Sequence, residues 1–186
     1  MSALKDKFSR IIQSQEWLMS ALRDVRSLNL PDSYIAAGAL RNTVWNVLHG
    51  FKGDTNQNDI DIVYFDRLDI KEKRAREAEG ILRSKNPSLN WEVVNQVDGS
   101  IYSPERPTAY NSESSIAYWS ETPTCIGARL EKDNSITICA PHGLDDLFNL
   151  IVRPIPKPKQ DLELYAMRIK EKKWKKTWPK LKIIRV

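Results

Sequence analysis

Asn58-Asp59-Ile60-Asp61-Ile62-Val63-Tyr64-Phe65-Asp66 sets carboxylates among β-forming residues directly after a polar stretch. On a strand, residues two apart share a face, so Asp59 and Asp61 point the same way with Cα atoms roughly 7 Å apart, while Ile60 and Ile62 face the opposite side. Two like charges that close raise each other's pKa unless a cation offsets them, which makes the pair suited to a divalent ion. Taken alone, the same alternation also describes a solvated edge strand with acids outward and apolar residues inward.

Upstream, Tyr34-Ile35-Ala36-Ala37-Gly38-Ala39-Leu40-Arg41-Asn42 passes from a short apolar run through a glycine into an apolar stripe of helical spacing at Leu40, Val44, Val47 and Leu48. The pattern reads strand, glycine turn, helix. Glycine lets a backbone approach a ligand closely, and the free N–H groups of a helix start favour anions such as phosphate. Arg41 and Asn42 in the first turn can add a charged fork and an amide to the same anion. A plain strand-to-helix connection with a solvated Arg41 is the alternative. Downstream of an expected helix from Asp69 to Leu82, Asn90-Trp91-Glu92-Val93-Val94-Asn95 reads as another strand. If it pairs beside the Asp59 strand, Glu92 reaches the same place; otherwise Glu92 is an ordinary exposed strand residue.

Gly38, then Asp59-Ile60-Asp61, then Glu92 resembles the polymerase beta-type nucleotidyltransferase superfamily, although the gap from glycine to acidic pair is longer than usual there. More specifically, Leu40 to Gly50, Asp59 to Asp66, Trp91 to Gln96, Ala140 to Phe148 and Trp174 to Pro179 together resemble a small bacterial nucleotidyltransferase-like family of uncharacterised substrate. The resemblance covers the chain from about residue 35 onward. One departure is Val97-Asp98-Gly99-Ser100-Ile101-Tyr102, where that family usually carries a basic residue and a histidine.

The resemblance implies Mg²⁺-dependent (or Mn²⁺-dependent) transfer of an NMP group from an NTP to a hydroxyl of an unidentified acceptor, a small molecule or an RNA. Asp59, Asp61 and Glu92 are then the catalytic and metal-binding acids, with Gly38, Ala39, Arg41 and Asn42 holding the triphosphate. The expected fold is α+β (α/β), a nucleotidyltransferase core of short mixed sheet with helices packed on it and a basic C-terminal helix. The competing reading is a catalytically silent nucleotide- or nucleic-acid-binding protein of the same fold, favoured by the altered segment after Gln96. A metal-dependent phosphodiesterase using the same acids lacks a histidine cluster beside them.

Other catalytic chemistry has little support. His49 precedes Gly50 at an expected helix end and His142 precedes Gly143 at an expected helix start, and neither has zinc-site spacing. Cys125 and Cys139 flank an expected hairpin, Ile126 to Leu130 and Ile136 to Ile138, and read as small buried residues. No Ser-His-Asp or Cys-His pairing is readable.

The chain has 186 residues, 41% of them hydrophobic, enough for one good core. With two cysteines and no apolar span or signal peptide, a reducing cytoplasm is the expected location, without membrane contact. The net charge of +5 is uneven: residues 157–186 carry eleven Lys/Arg against three acids, leaving residues 1–156 slightly acidic. We expect a domain over 1–156 and a basic Trp/Lys-rich helical extension over 157–186. Arg153-Pro154-Ile155-Pro156-Lys157-Pro158 is a proline-rich break, followed by an expected helix from Leu162 to Trp174.

Lys170-Glu171-Lys172-Lys173-Trp174-Lys175-Lys176-Thr177-Trp178 supports two readings. Lysines and tryptophans there can contact nucleic acid through Lys170 to Lys180, or Trp174 and Trp178 pack on the domain with the lysines solvated. The second is the preferred expectation. Leu4 to Leu28 reads as one amphipathic helix covering the sheet, and Pro141 to Leu150 as a helix with Asp145 and Asp146 in its first turn. Asp146 and the loop Ser103 to Ser114 are minor candidates for shaping the pocket.

Overall fold

A computed structural model describes residues 2–51, 59–69, 71–97, 109–157 and 160–185. The chain begins with α1 (Ser2–Gln13) and α2 (Glu16–Ser27), then β1 (Tyr34–Ala36), α3 (Gly38–His49) and β2 (Asp59–Tyr64). Next come α4 (Lys73–Lys85), β3 (Asn90–Asn95), α5 (Ser112–Ile116), β4 (Gly127–Leu130) and β5 (Ile136–Cys139). The last third holds α6 (Asp145–Phe148), β6 (Ile151–Val152), α7 (Leu162–Lys172), α8 (Trp174–Thr177) and β7 (Lys182–Ile183). The segment Val97 to Tyr102 lies outside the described residues from position 98 onward, as do 103–108 of the pocket-shaping loop.

Five strands form one mixed sheet in the order β3-β2-β1-β4-β5. β2 and β3 are parallel, with α4 making the crossover that a parallel pair requires; the other neighbours are antiparallel. β2 is therefore an inner strand, and the edge-strand reading of the acidic run does not hold. Its alternation survives: Ile60, Ile62 and Tyr64 are fully buried, with Trp91 and Val93 of β3 in the same core under α1 to α4. On the opposite face, Val63 joins Tyr34, Ala36, Ile116, Cys125, Cys139 and Ile155 in a smaller cluster. Both cysteines are buried, as expected.

Several boundaries differ from the sequence reading. The expected helix from Leu4 to Leu28 is broken in two, because Gln15 is extended (φ −106°, ψ 97°) and Ser14 Oγ donates to the Ile11 carbonyl. α4 starts at Lys73 rather than Asp69. Asp69 instead accepts from the backbone N–H groups of Lys73 and Arg74 at 2.8 and 3.0 Å, which caps the helix and draws its carboxyl below the usual range together with the Tyr64 hydroxyl bond, against the opposing effect of burial. The helix expected over Pro141 to Leu150 contracts to one turn. α7 ends at Lys172 because Lys173 turns left-handed (φ 46°), which swings Trp174 inward.

That inward turn anchors the C-terminal segment. Trp174 and Trp178 meet Trp45 of α3 edge-on, with ring centroids 5.8 and 5.1 Å away, and Trp178 Nε1 donates to Asn46 Oδ1 at 2.8 Å. Lys180 adds a backbone N–H to His49 Nε2, while His49 Nδ1 faces the Trp45 carbonyl at the helix end. β7 then pairs with β6. The tryptophans thus pack on the fold, and their rings are not offered to a nucleic acid. Among the described residues, no helix is long and apolar enough to cross a membrane.

Gly127 is where two strands come too close for a side chain. A Cβ there would stand 3.0 Å from Tyr34 Cβ and 3.2 Å from Tyr34 Cγ. Gly127→Ala should lower stability by about 1–3 kcal/mol through overpacking. Chemical denaturation reads this directly; an unchanged midpoint would mean that β1 and β4 can separate at no cost.

Candidate functional site

Main-chain pairing puts the acids together. Asp61 of β2 is the register partner of Glu92 of β3, and Asp59 is the partner of Asn90. In a parallel pair, register partners project to the same side, so Asp61 and Glu92 stand next to each other on the face away from the main core. Asp61 is half-buried and Glu92 exposed. Burial first, then repulsion from Glu92 and Asp59, pushes the Asp61 carboxyl up to about 6, although Arg41 and Lys172 pull the other way.

The helix start lies beside them. β1 places Ala36 opposite Asp61, and the chain turns at Ala37 into α3. Ala37 adopts φ 50° and ψ −117°, a region costly for any residue with a Cβ, and is held there by its N–H to the Ile126 carbonyl at 3.1 Å. Backbone strain falls on Ala37 rather than on Gly38, whose φ is not positive. Gly38 serves as open space: a Cβ there would meet only the Arg41 and Asn42 side-chain ends, at 3.8 and 3.9 Å. The first main-chain bond of α3 runs from the Arg41 N–H to the Ala37 carbonyl at 2.9 Å, so the preceding amides of the turn have no acceptor within the helix.

Two connected cavities, about 450 and 440 Å³, meet at Asp61 and Glu92. The first contains Gly38, Arg41, Asn42 and Asp59, with Lys172 and Thr177 from the C-terminal segment. The second runs on over Val63, Val94 and Gln96 toward Trp119 and Leu164. Arg168 and Thr124 border both. Leu164, Arg168 and Lys172 are four residues apart, one stripe of α7, and together they wall the cleft.

The cations are fixed rather than floating. Arg41 is 6% exposed, donates to Thr124 Oγ1 at 2.8 Å and to Asn42 Oδ1 at 3.0 Å, and lies over the rings of Trp174 and Trp45 at 4.7 and 5.1 Å. Burial lowers its pKa to about 10, which leaves it charged at neutral pH. Arg168 grips the fully buried Glu121 with two contacts, of 2.6 and 3.3 Å.

Gly38, Arg41, Asn42, Asp59, Asp61 and Glu92 therefore border one cavity, while Ala39 sits in the hydrophobic core at 3% exposure and offers the cleft only its backbone. Asp146 is spoken for by Arg153 at 2.7 Å and Thr122 at 2.6 Å and borders neither cavity. Sequence reasoning gave no site role to Arg168, Thr124, Trp119 or Leu164, and nothing in their local pattern marks them. They meet the acids only through tertiary packing.

The expected three-acid metal cluster is not closed. Among the described residues, no group of three His, Cys, Asp or Glu side chains is placed to hold a metal ion. Asp59, at the first residue of its strand and exposed, accepts from Asn90 Nδ2 at 2.7 Å. Asp61 and Glu92 remain as an adjacent pair whose mutual repulsion a cation would relieve. Mg²⁺ is held by one or two carboxylates with water and substrate phosphate completing its shell, and this pair fits that demand.

Residues 23–183 match the family model described as Nucleotidyltransferase. No curated protein sequence matches the chain. Among solved structures, one described as revealing a CCA-adding enzyme head domain is 30% identical, with 97% of this chain and 96% of that chain covered, at a TM-score of 0.85. A CCA-adding enzyme in apo form is 13% identical at TM-score 0.62, and the Thermotoga maritima CCA-adding enzyme complexed with tRNA is 14% identical at 0.60. In each of these last two, 96% of this chain matches 42% of the other, so it spans well under half of those enzymes, and the likeness is one of fold.

The raised Asp61 pKa has a signed consequence. The folded carboxyl titrates near 6 against an ordinary 3.8, so the folded state holds the proton more tightly and loses stability as pH rises from about 4 through 6. Metal-free Asp61→Asn, which does not titrate, should melt higher than wild type at pH 7.5, and the gap should close by pH 4. Parallel melting curves over that range check this; a gap independent of pH would refute the buried repulsion.

Proposed function

The chain belongs to the nucleotidyltransferase family, and on that premise we propose that it transfers a nucleotidyl group from an NTP to an acceptor hydroxyl in the cleft above Asp61 and Glu92. The observation that carries this reading is the charge order along the cleft: helix-start amides, Arg41, Lys172 and Arg168 lie on or beside one side of an adjacent carboxylate pair. That is the arrangement a triphosphate needs, with donors for its terminal oxygens and acids at the reacting phosphorus.

Each residue then has a task. The amides at Gly38 and Ala39, with the remaining donors of Arg41, hold the β- and γ-phosphates, and Lys172 adds charge from the rim. Asp61 and Glu92 would hold Mg²⁺, which when bound neutralises phosphate charge and eases loss of the attacking hydroxyl's proton. Glu92, exposed toward the cleft, accepts a hydrogen bond from that hydroxyl and orients it. The new bond joins acceptor oxygen to the α-phosphorus as the bond to the leaving pyrophosphate breaks. Arg168, fixed by Glu121, faces the charge that builds on the transferring group.

Solved relatives are complexed with CTP, with ATP and with tRNA, which supports the NTP reading and makes an RNA end one candidate acceptor beside a small molecule. The division into a domain over 1–156 and a packed extension over 157–186 belongs to the same proposal, since Lys172 comes from the extension. A second reading, nucleotide binding without turnover, is favoured by one observation: Asp59 Oδ1 accepts from Asn90 Nδ2, so one expected metal ligand is already hydrogen-bonded.

Pyrophosphate release from a panel of four NTPs, with Mg²⁺ or Mn²⁺ and both nucleoside and RNA acceptors, separates the two. Transfer predicts release that Asp61→Asn lowers by about 10²-fold or more, with NTP still bound. Lys172→Ala should raise the NTP KM several-fold and leave the melting temperature unchanged, since Lys172 is exposed. Metal-dependent NTP binding with no turnover across the panel would establish the second reading instead.

A further inference from the structure

The second cavity differs in chemistry from the first. Two residues beyond the acids on each strand, its floor is Val63 and Val94, and two further along β3 is Gln96. Leu164 and half-buried Trp119 wall it, with Ser120 and Thr124 beside them, and among the described residues its one cation is Arg168 at the shared border. Among the described residues, a triphosphate finds fewer partners there than in the first cavity.

Gln96 supplies the second observation. It is 2% exposed, and its Oε1 accepts from Ser115 Oγ at 2.5 Å, which fixes the amide. Its Nε2 is buried without a hydrogen-bond partner among the described residues. A buried amide donor left unpaired is unfavourable, and native folds rarely keep one without a use. The Gln96 backbone N–H is already satisfied by the Tyr64 carbonyl at 2.8 Å, so among the described residues the unmet donor of Gln96 is its side-chain amide.

The reaction's stereochemistry says what enters. In nucleotidyl transfer the attacking and leaving oxygens lie in line across the phosphorus. Pyrophosphate leaves on the cationic side, so the acceptor oxygen comes from the opposite side, where the apolar cavity opens. We propose that this cavity is the acceptor site, and that Gln96 Nε2 selects an acceptor carrying a flat, uncharged heterocycle with a carbonyl oxygen or ring nitrogen at its edge. The inference rests on the transfer reading, for it uses the in-line geometry. Four residues of strand separate Glu92 from Gln96 by roughly 13 Å, the span of a nucleoside with one hydrogen bond at each end. Trp119 offers an aromatic surface against which such a ring can stack.

The acceptor can be a free nucleoside or the terminal nucleoside of an RNA, and the test carries both. Binding of adenosine, uridine, a short RNA with a free 3′ hydroxyl and methyl glucoside, which has hydroxyls but no flat ring, is measured by calorimetry without NTP. ATP and CTP affinity with Mg²⁺ is measured separately. The expected result is binding of nucleosides or the RNA end but not the glucoside, weakened about tenfold in Gln96→Glu, which keeps the bond to Ser115 and removes the donor. Val94→Phe, which fills the cavity, should do the same, and both variants should keep NTP affinity within twofold, which also reports that they fold. Equal ring binding in wild type and Gln96→Glu overturns the proposal, as does glucoside binding that matches the nucleosides; either leaves NTP transfer standing. Absence of NTP binding in the wild type overturns the transfer reading and the acceptor role together.

Discussion

Two carboxylates held side by side by a parallel β-ladder are the constraint around which the rest of this fold is arranged. Asp61 and Glu92 cannot move apart without breaking the β2–β3 register, which the main chain sets over six residue pairs. Asp61 cannot escape to solvent freely, because it is half-buried beneath the rim of the cleft. The repulsion is therefore built in, and it shows in the raised Asp61 carboxyl. What surrounds the pair supplies opposite charge from a distance: Arg41, Lys172 and Arg168, and the amides at the start of α3, which have no acceptor within the helix. None of these cations forms an ion pair with Asp61 or Glu92 among the described residues. The excess charge of each sign stays available to a ligand that carries both a cation and phosphates.

α3 links this site to the C-terminal segment. Its first turn faces the cleft, and two turns of its length later Trp45, Asn46 and His49 receive Trp174, Trp178 and Lys180. Arg41 belongs to both ends of that arrangement, since it borders the cavity and its guanidinium lies over Trp174. The basic extension is thus not a charged tail on a finished domain. Its buried tryptophans fix the position of α7, and α7 brings Arg168 and Lys172 to an otherwise slightly acidic body. A segment whose charge suggested a nucleic-acid partner spends its aromatic residues on packing, and two of its cations on the cleft.

The parts legible in the sequence are those set by local pattern. The alternation at Asp59 to Tyr64, the β4–β5 hairpin and the glycine turn into α3 all follow from residue spacing and turn chemistry, and the sheet places them as that spacing demands. Glu92 was legible only conditionally, because strand pairing is not local; the register Asp61↔Glu92 settled it. Other features lay beyond sequence for definite reasons. The break at Gln15 lies inside a continuous amphipathic stripe, so no apolar signal marks it. The strain at Ala37 is held by the bond to Ile126, 89 residues away in the chain and adjacent in space. The partner of Asp59 is Asn90, which looks like an ordinary strand start until register brings the two together. Arg168 and Leu164 read as helix surface and helix core until the helix is docked.

The cleft's polarity is written twice, by segments that share no local sequence. Along β2 and β3 the residues facing it run from Asp59, Asp61 and Glu92 to Val63, Val94 and Gln96. Along one stripe of α7 they run from Lys172 through Arg168 to Leu164, so the charged end of the helix stands over the acids and the apolar end over the valines. Sheet and helix could each have been patterned by folding alone: acids at the solvated start of a strand, lysines at the end of a helix where the dipole favours them. Neither explanation requires the two gradients to coincide in direction across a cavity, nor leaves a reason for a buried amide donor that has no partner among the described residues at the apolar end. In the proposed reaction, an NTP at the charged end and an acceptor with a flat neutral ring at the apolar end account for both gradients and for Gln96 at once.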